Sequence, residues 1–292
     1  MASDSNSRSI VAMLIAVGAF SLMDAALKTL TLSYPALQVA ALRGLAALPL
    51  VCVYVVWRRE VRQLLRVRWQ LHLLRGVISI LMLSLFSYAL RALGLAEAYT
   101  IFFVAPLLIT MLSIPMLGEK VAPLHWVAIA VGLAGVWIAL RPDGQAFFSW
   151  GALAVLGAAT CYAVSAIVGR VLSRTDASVT LVFWTTISLS LGAGVLALPG
   201  WVAIEPGHGP VLLALAVTGF VGQLAITEAF RHGQASAVAP FEYTALAWGI
   251  ALDWSFWRIV PDNYTLTGGA IIILSGLYLL RKERVKTVTI PP

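Results

Sequence analysis

Gly135-Val136-Trp137-Ile138-Ala139-Leu140-Arg141 returns 141 positions later as Gly276-Leu277-Tyr278-Leu279-Leu280-Arg281-Lys282. Both stretches close an apolar run on a basic residue. Other echoes keep nearly the same interval. Gly18-Ala19 recurs as Gly157-Ala158 at 139, Ala89-Leu90-Arg91 as Ala229-Phe230-Arg231 at 140, and Gly94 as Gly233 at 139. Small and apolar residues are common here, so each match alone is weak. The shared interval is the signal, and it predicts a duplicated chain.

What is duplicated is a membrane unit. The 292 residues are 60% hydrophobic and 11% charged, with a mean hydropathy of +0.91. Soluble domains run near 45–50% apolar and about 25% charged. A hydrocarbon core about 30 Å thick takes roughly 20 apolar residues per helix. The hydropathy predicts an all-α polytopic membrane protein with ten spans near 10–30, 36–57, 71–92, 95–116, 122–140, 150–171, 179–198, 210–230, 235–257 and 264–280. Turn chemistry separates them: Tyr34-Pro35, the basic loop Arg58–Arg68, Gly118-Glu119-Lys120, Arg141-Pro142-Asp143-Gly144, Pro199-Gly200, Glu205-Pro206-Gly207 and Pro261-Asp262-Asn263. Residues 1–143 form the first five-helix repeat, 144–284 the second, and 285–292 a tail ending Ile290-Pro291-Pro292. Ile10–Leu22 after Arg8 could be read as a secretory leader, but it opens the first of ten runs.

Five is an odd number, so the second repeat must enter the membrane from the opposite side. Basic residues sort accordingly. The side shared by both termini carries 15 of the 20 Lys and Arg: Arg8, Arg58, Arg59, Arg62, Arg66, Arg68, Arg75, Lys120, Arg170, Arg174, Arg231, Arg281, Lys282, Arg284 and Lys286. The other side carries Lys28, Arg91, Arg141 and Arg258, and Arg43 lies within a span. The prediction is a multi-pass protein of a bacterial-type inner (plasma) membrane with both termini cytoplasmic. That distribution also accounts for the net charge of +7 without a nucleic-acid partner. Inverted repeats around a central cavity point to alternating-access transport, with substrate held near mid-membrane.

The chain resembles the drug/metabolite transporter superfamily, in its EamA-type ten-helix branch. The resemblance rests on small residues from Gly18 to Ser21, on Arg43, on Ala96-Glu97-Ala98-Tyr99 through Pro106 to Leu117-Gly118-Glu119, and on Gly132-x-x-Gly135. In the second half Trp257-Arg258 stands where the family has Gly-Glu. The resemblance implies a basket-like bundle lined by the first, third and fourth helices of each half, with the fifth of each at the periphery. It also implies export of amino acids, related metabolites or drugs, in the manner of YddG-like amino-acid exporters.

Charge inside a span is costly and marks function by default. Asp24 and Lys28 are four residues apart and can pair on one helix face; the pair reads as a substrate contact or gate, or as a self-neutralising pair near the outer interface. Glu242, after Pro240, is the favoured cavity carboxylate, and Asp253 sits eleven residues on, near the outer interface. Glu228 has Arg231 as a ready partner. Ser84, Ser87, Tyr88 and Arg91 form one polar stripe, and Tyr99, Phe103, Pro106 and Thr110 recur at helical spacing as an aromatic one that can face lipid, a neighbouring helix or the cavity. Tyr162, Tyr243, Trp184 and Trp248 are further cavity candidates. Trp57, Trp126, Trp150, Trp201 and Trp257 read as interfacial anchors. Pro106 and Pro240 interrupt equivalent regions and read as hinges.

Nothing in the sequence points to catalysis, a cofactor or a metal. A Gly-x-x-x-x-Gly-Lys-Ser/Thr loop and a His-Glu-x-x-His are both missing, and His72, His125, His208 and His232 are scattered. A membrane-embedded lipid-processing enzyme would need acid, base or nucleophile residues clustered at one interface. A passive channel or structural membrane protein is the other rival. Small-molecule cargo extends from amino acids to purines and amphipathic drugs; oligomeric state is not legible, because small-residue pairs such as Ala128 and Gly132 also serve packing within one bundle.

Overall fold

The computed structural model describes residues 2–65, 67–117, 123–139, 149–172, 175–232 and 239–288. The turns at 118–122 and 141–144, with Gly233 and the tail from 289, lie outside the described residues. Among those described, the chain is helical throughout, without strands. The helices are α1 (Ala2–Thr31), α2 (Ala36–Trp57), α3 (Trp69–Ala89), α4 (Leu95–Phe102), α5 (Ala105–Leu117) and α6 (Pro123–Ala139). They continue as α7 (Trp150–Leu172), α8 (Ser178–Ile187), α9 (Gly194–Ala197), α10 (Gly209–His232), α11 (Ala245–Leu252) and α12 (Asn263–Val288).

Among the described residues, six stretches are long and apolar enough to cross a membrane: Ser9–Thr31, Ala36–Trp57, Trp69–Ala89, Trp150–Gly169, Val179–Gly200 and Pro206–Ile226. Leu95–Ile109 and Ala130–Ala139 are shorter apolar helices. Two of the four other expected spans are interrupted, each for a local reason. The segment 95–117 is broken at Phe103-Val104 between α4 and α5, next to Pro106, which has no N–H to continue the ladder. The segment 239–257 is a 3₁₀ turn (Ala239–Thr244), then α11, then a π turn (Asp253–Trp257). A second π turn, Ser188–Ala193, interrupts the helix between α8 and α9; such wide turns occur mostly at functional positions.

The packing has an internal order. Counted from residue 1 and again from residue 150, the first helix of each half packs on the third of the other: α1 on α10, and α7 on α3. Equivalent helices also meet: α2 with α8, α4 with α11, and α6 with α12. α5 begins at Ala105 and α11 at Ala245, so both discontinuities fall at the same place in their halves. There Phe103 and Tyr243 touch edge to face, with ring centroids 5.2 Å apart.

Glycine permits the closest approaches. A Cβ on Gly44 of α2 would collide with the backbone nitrogen of Ser190. A Cβ on Gly135 of α6 would lie 2.9 Å from the Gly268 carbonyl of α12, and one on Gly268 would strike the Gly135 carbonyl in return. Helices gain most of their association in lipid from such backbone-to-backbone packing. Away from these seams apolar side chains face outward: Leu73, Val77 and Leu81 of α3 are 69%, 56% and 51% exposed at a spacing of four, as a lipid-facing stripe requires.

Candidate functional site

A central cavity of about 540 Å³ lies among these helices. Its lining reaches Met13, Tyr54, Arg75, Val179 and Ile226 in one direction and stops near Asp24, Leu83, Tyr99 and Leu215 in the other. The walls come from α1, α2, α3, α4, α7, α8, α10 and the 239–245 region. Residues of α6 and α12 are absent from the described lining. The second helix of each half, α2 and α8, lines the cavity as well. This corrects the expectation of first, third and fourth helices only: Gly44 and Ser190 bring α2 and the end of α8 together so closely that their flanking turns form a wall.

Asp24, Tyr99, Phe103, Tyr162 and Glu242 line the cavity. Asp24 does not pair with Lys28. Its carboxylate accepts the Tyr99 hydroxyl at 2.9 Å and lies within the field of Arg43, which also lines the cavity. Tyr162 packs on Phe102 at 5.4 Å and Phe102 on Phe86 at 5.6 Å, forming an aromatic wall. Tyr162 shares the cavity lining with Glu242 and Arg75.

Several candidates lie elsewhere, for identifiable reasons. Lys28 turns toward the far end of the bundle and donates to Asp253 at 2.8 Å, with both side chains buried. Its ammonium also sits 4.4 Å from the Trp257 ring centroid. Asp253 is 1% exposed and also accepts the Ala96 N–H at 2.9 Å. It does not line the cavity with Glu242. Tyr88 continues the outward stripe of α3 and is 46% exposed. Ser84 has a buried hydroxyl without a partner outside the lining. Trp184 donates to the Leu64 carbonyl at 3.1 Å and packs on Trp69 at 4.4 Å. Tyr243 lies behind Phe103 in the core. Trp248 covers Gly18 on an outer groove with Val11, Leu14 and Leu22. Pro106 falls in the first turn of α5 and Pro240 in the 3₁₀ turn before α11; of their side chains, and those of Thr110, Glu228 and Arg231, nothing further is described.

Two groups were missed. In the sequence Arg43 stands within a span only as part of the family resemblance and Arg75 only as part of the basic flank, yet both line the cavity. The signal for Arg43 was its position within a span; for Arg75 it was weak, because arginine near a helix start is ordinary.

The two ends of the bundle differ in chemistry. At the Asp253 end Arg91 donates to the carbonyls of Thr31 at 2.6 Å and Tyr34 at 2.8 Å. Gln38 exchanges two hydrogen bonds with the backbone of Val202, at 2.6 and 2.9 Å. The Tyr34 hydroxyl meets His208 at 2.7 Å and accepts the Glu205 N–H at 3.0 Å. At the opposite end His72 meets Asp176 at 2.7 Å. Burial opposes ionisation of Asp176, but the His72 and Thr175 hydrogen bonds, with the charges of His72 and Arg68, hold its carboxyl below the ordinary range. These contacts also fix direction. α1 and α3 end together at Arg91, whereas α7 ends where α3 begins, at the His72–Asp176 contact.

The EamA-like transporter family matches this chain twice, over residues 7–141 and 149–281. The chain is 28% identical over 271 residues to the pseudopaline exporter CntI of Pseudomonas aeruginosa, covering 91% of this chain and 93% of the relative. It is 29% identical to a riboflavin transporter of Rhizobium johnstonii, over 73% of this chain and 70% of that one. It is 24% identical to an S-adenosylmethionine uptake transporter of Rickettsia conorii, over 73% and 72%. A solved crystal structure superposes with a TM-score of 0.68 at 18% identity, over 96% of this chain and 99% of the other, and so shares the fold.

Proposed function

Since this chain belongs to the EamA-like transporter family, and is a multi-pass membrane transporter and not an enzyme, we propose that it works by alternating access and exports amino acids and related small metabolites. The observation that carries this is the one-sided cavity: about 540 Å³, continued toward Arg75 and stopped short of the Lys28–Asp253 pair. Its size suits a small metabolite.

The architecture proposed is ten spans in two inverted five-helix repeats, 1–143 and 144–284. Three observations support it. The family matches each half separately. The helix pairings repeat with the halves exchanged. α1 and α7, equivalent helices, end at opposite ends of the bundle. With the termini in the cytoplasm of a bacterial-type inner membrane, the open end faces the cytoplasm, and the Lys28–Asp253 end is the outer gate. The discontinuities before α5 and α11, beside Pro106 and Pro240, would bend as the gates exchange.

The walls favour cargo with a charged head and an apolar body. Phe86, Phe102, Phe103 and Tyr162 supply apolar surface, and Asp24, Arg43, Arg75 and Glu242 supply both signs of charge. The relatives carry diverse molecules, so the cargo is assigned from these walls. Counterflow of radiolabelled amino acids and nucleobases into proteoliposomes, repeated across a pH gradient, tests it. Saturable, amino-acid-stimulated exchange is expected; turnover of lipid or non-saturable leak without counterflow would sink it. A C-terminal reporter active only outside the cytoplasm would overturn the orientation.

A further inference from the structure

Two arginines face the cavity, and they are not alike. Arg43 has Asp24 close by. Arg75 has no such match: its Nε and Nη1 are buried and make no hydrogen bond. A guanidinium stays protonated in a protein, so burial cannot neutralise it. A buried cation with two nitrogens left without hydrogen bonds is costly and is retained for function. Beneath it runs the backbone of α7 at Gly169, where even an added Cβ would lie 3.7 Å away, so no side chain of α7 at that point competes for its donors.

The carboxylates divide the same way. Asp24 holds the Tyr99 hydroxyl. Glu242 lines the cavity and has no hydrogen-bond or ion-pair partner among the described residues. Arg75, Glu242 and Tyr162 line the same cavity. The two charges therefore share it with one ring of the aromatic wall.

We infer that Arg75 binds the carboxylate of a zwitterionic substrate, and that Glu242 binds its ammonium group, with the apolar body against Tyr162 and Phe102. This deepens the amino-acid reading above and rests on it. An arginine fork takes a carboxylate through two parallel hydrogen bonds. A phosphate would leave Glu242 opposing it, because the four charged cavity groups sum to zero. A neutral heterocycle would leave both charges unmatched.

The test uses leucine, its decarboxylated amine isopentylamine and its deaminated acid 4-methylpentanoate as competitors of leucine counterflow in proteoliposomes. Wild type should prefer leucine to both. Arg75→Gln should lose the preference over the amine by about tenfold or more, the worth of one charge-assisted hydrogen bond, while keeping discrimination against the acid. Glu242→Gln should do the reverse, and Arg75→Lys should recover part of the loss. Because Arg75 is unpartnered, the Tm of ligand-free Arg75→Gln should equal or exceed that of wild type. An unchanged leucine-to-amine ratio, or an equal loss for all three probes with a lowered Tm, would overturn the assignment and leave the carrier standing. Wild-type protein that exchanges none of the probes would overturn the amino-acid cargo itself, and this assignment with it.

Discussion

The end of the bundle around Asp253 and the end around Asp176 are built from the same lipid-soluble helices, yet they are closed by different means. At the Asp253 end a set of polar contacts joins the helices. Lys28 meets Asp253, Asp253 meets the Ala96 N–H, Arg91 holds two carbonyls, and Gln38 holds both polar groups of Val202. At the other end the cavity runs outward past Arg75, whose Nε and Nη1 make no hydrogen bond among the described residues, and one His72–Asp176 contact ties α3 to the chain between α7 and α8. The difference teaches that a membrane protein seals itself by satisfying polar groups across helices. It stays accessible where one is left for something else.

Breaking the seal should give the largest effect. Lys28→Ala leaves Asp253 buried without its cation, which costs about 3–5 kcal/mol. The expected result is a lowered Tm in detergent, together with new labelling of a cysteine placed near Gly94 by a membrane-impermeant reagent from outside. The double variant Lys28→Met with Asp253→Leu removes both charges and should recover most of the stability. A single variant as stable as wild type, with no new labelling, would show that the pair seals nothing.

Gln38→Ala should be milder. It deletes two hydrogen bonds and leaves the Val202 backbone unpaired, for about 1–3 kcal/mol, read as a Tm shift without loss of counterflow. The smallest effect belongs to the opposite end. The Asp176 carboxyl titrates below its ordinary range, so it contributes stability at neutral pH that is lost as pH falls through that depressed value. Asp176→Asn should flatten the acid limb of the Tm-against-pH curve below about pH 4, where wild type declines. Parallel acid limbs would show that the contact is not linked to folding.

Turns and breaks were legible because they depend on local chemistry. Pro35 opens α2, and Pro106 stands beside the break before α5. Side-chain direction was not, because it depends on which helix arrives from far along the chain. Spacing alone joins Lys28 to Asp24, but the partner is 225 residues away. Trp248 reads as deep by position in its span, yet depth does not say whether a ring faces the cavity or lipid. Tyr88 shares a polar stripe with Ser84 in sequence, while its true register is that of Leu73, Val77 and Leu81. Arg75 shows the hardest case: its meaning lies in the lack of a partner, which no sequence records.

Phe103 and Tyr243, 140 residues apart and in edge-to-face contact, have a further consequence. A point on a twofold axis is its own image. If the halves trade conformations as proposed, each residue off the axis must travel, while this contact would map onto its counterpart. It would then contribute equally to both end states, unlike the Lys28–Asp253 pair, which would belong to one. Weakening it would leave the ratio of the end states untouched and change only the height of the pass between them.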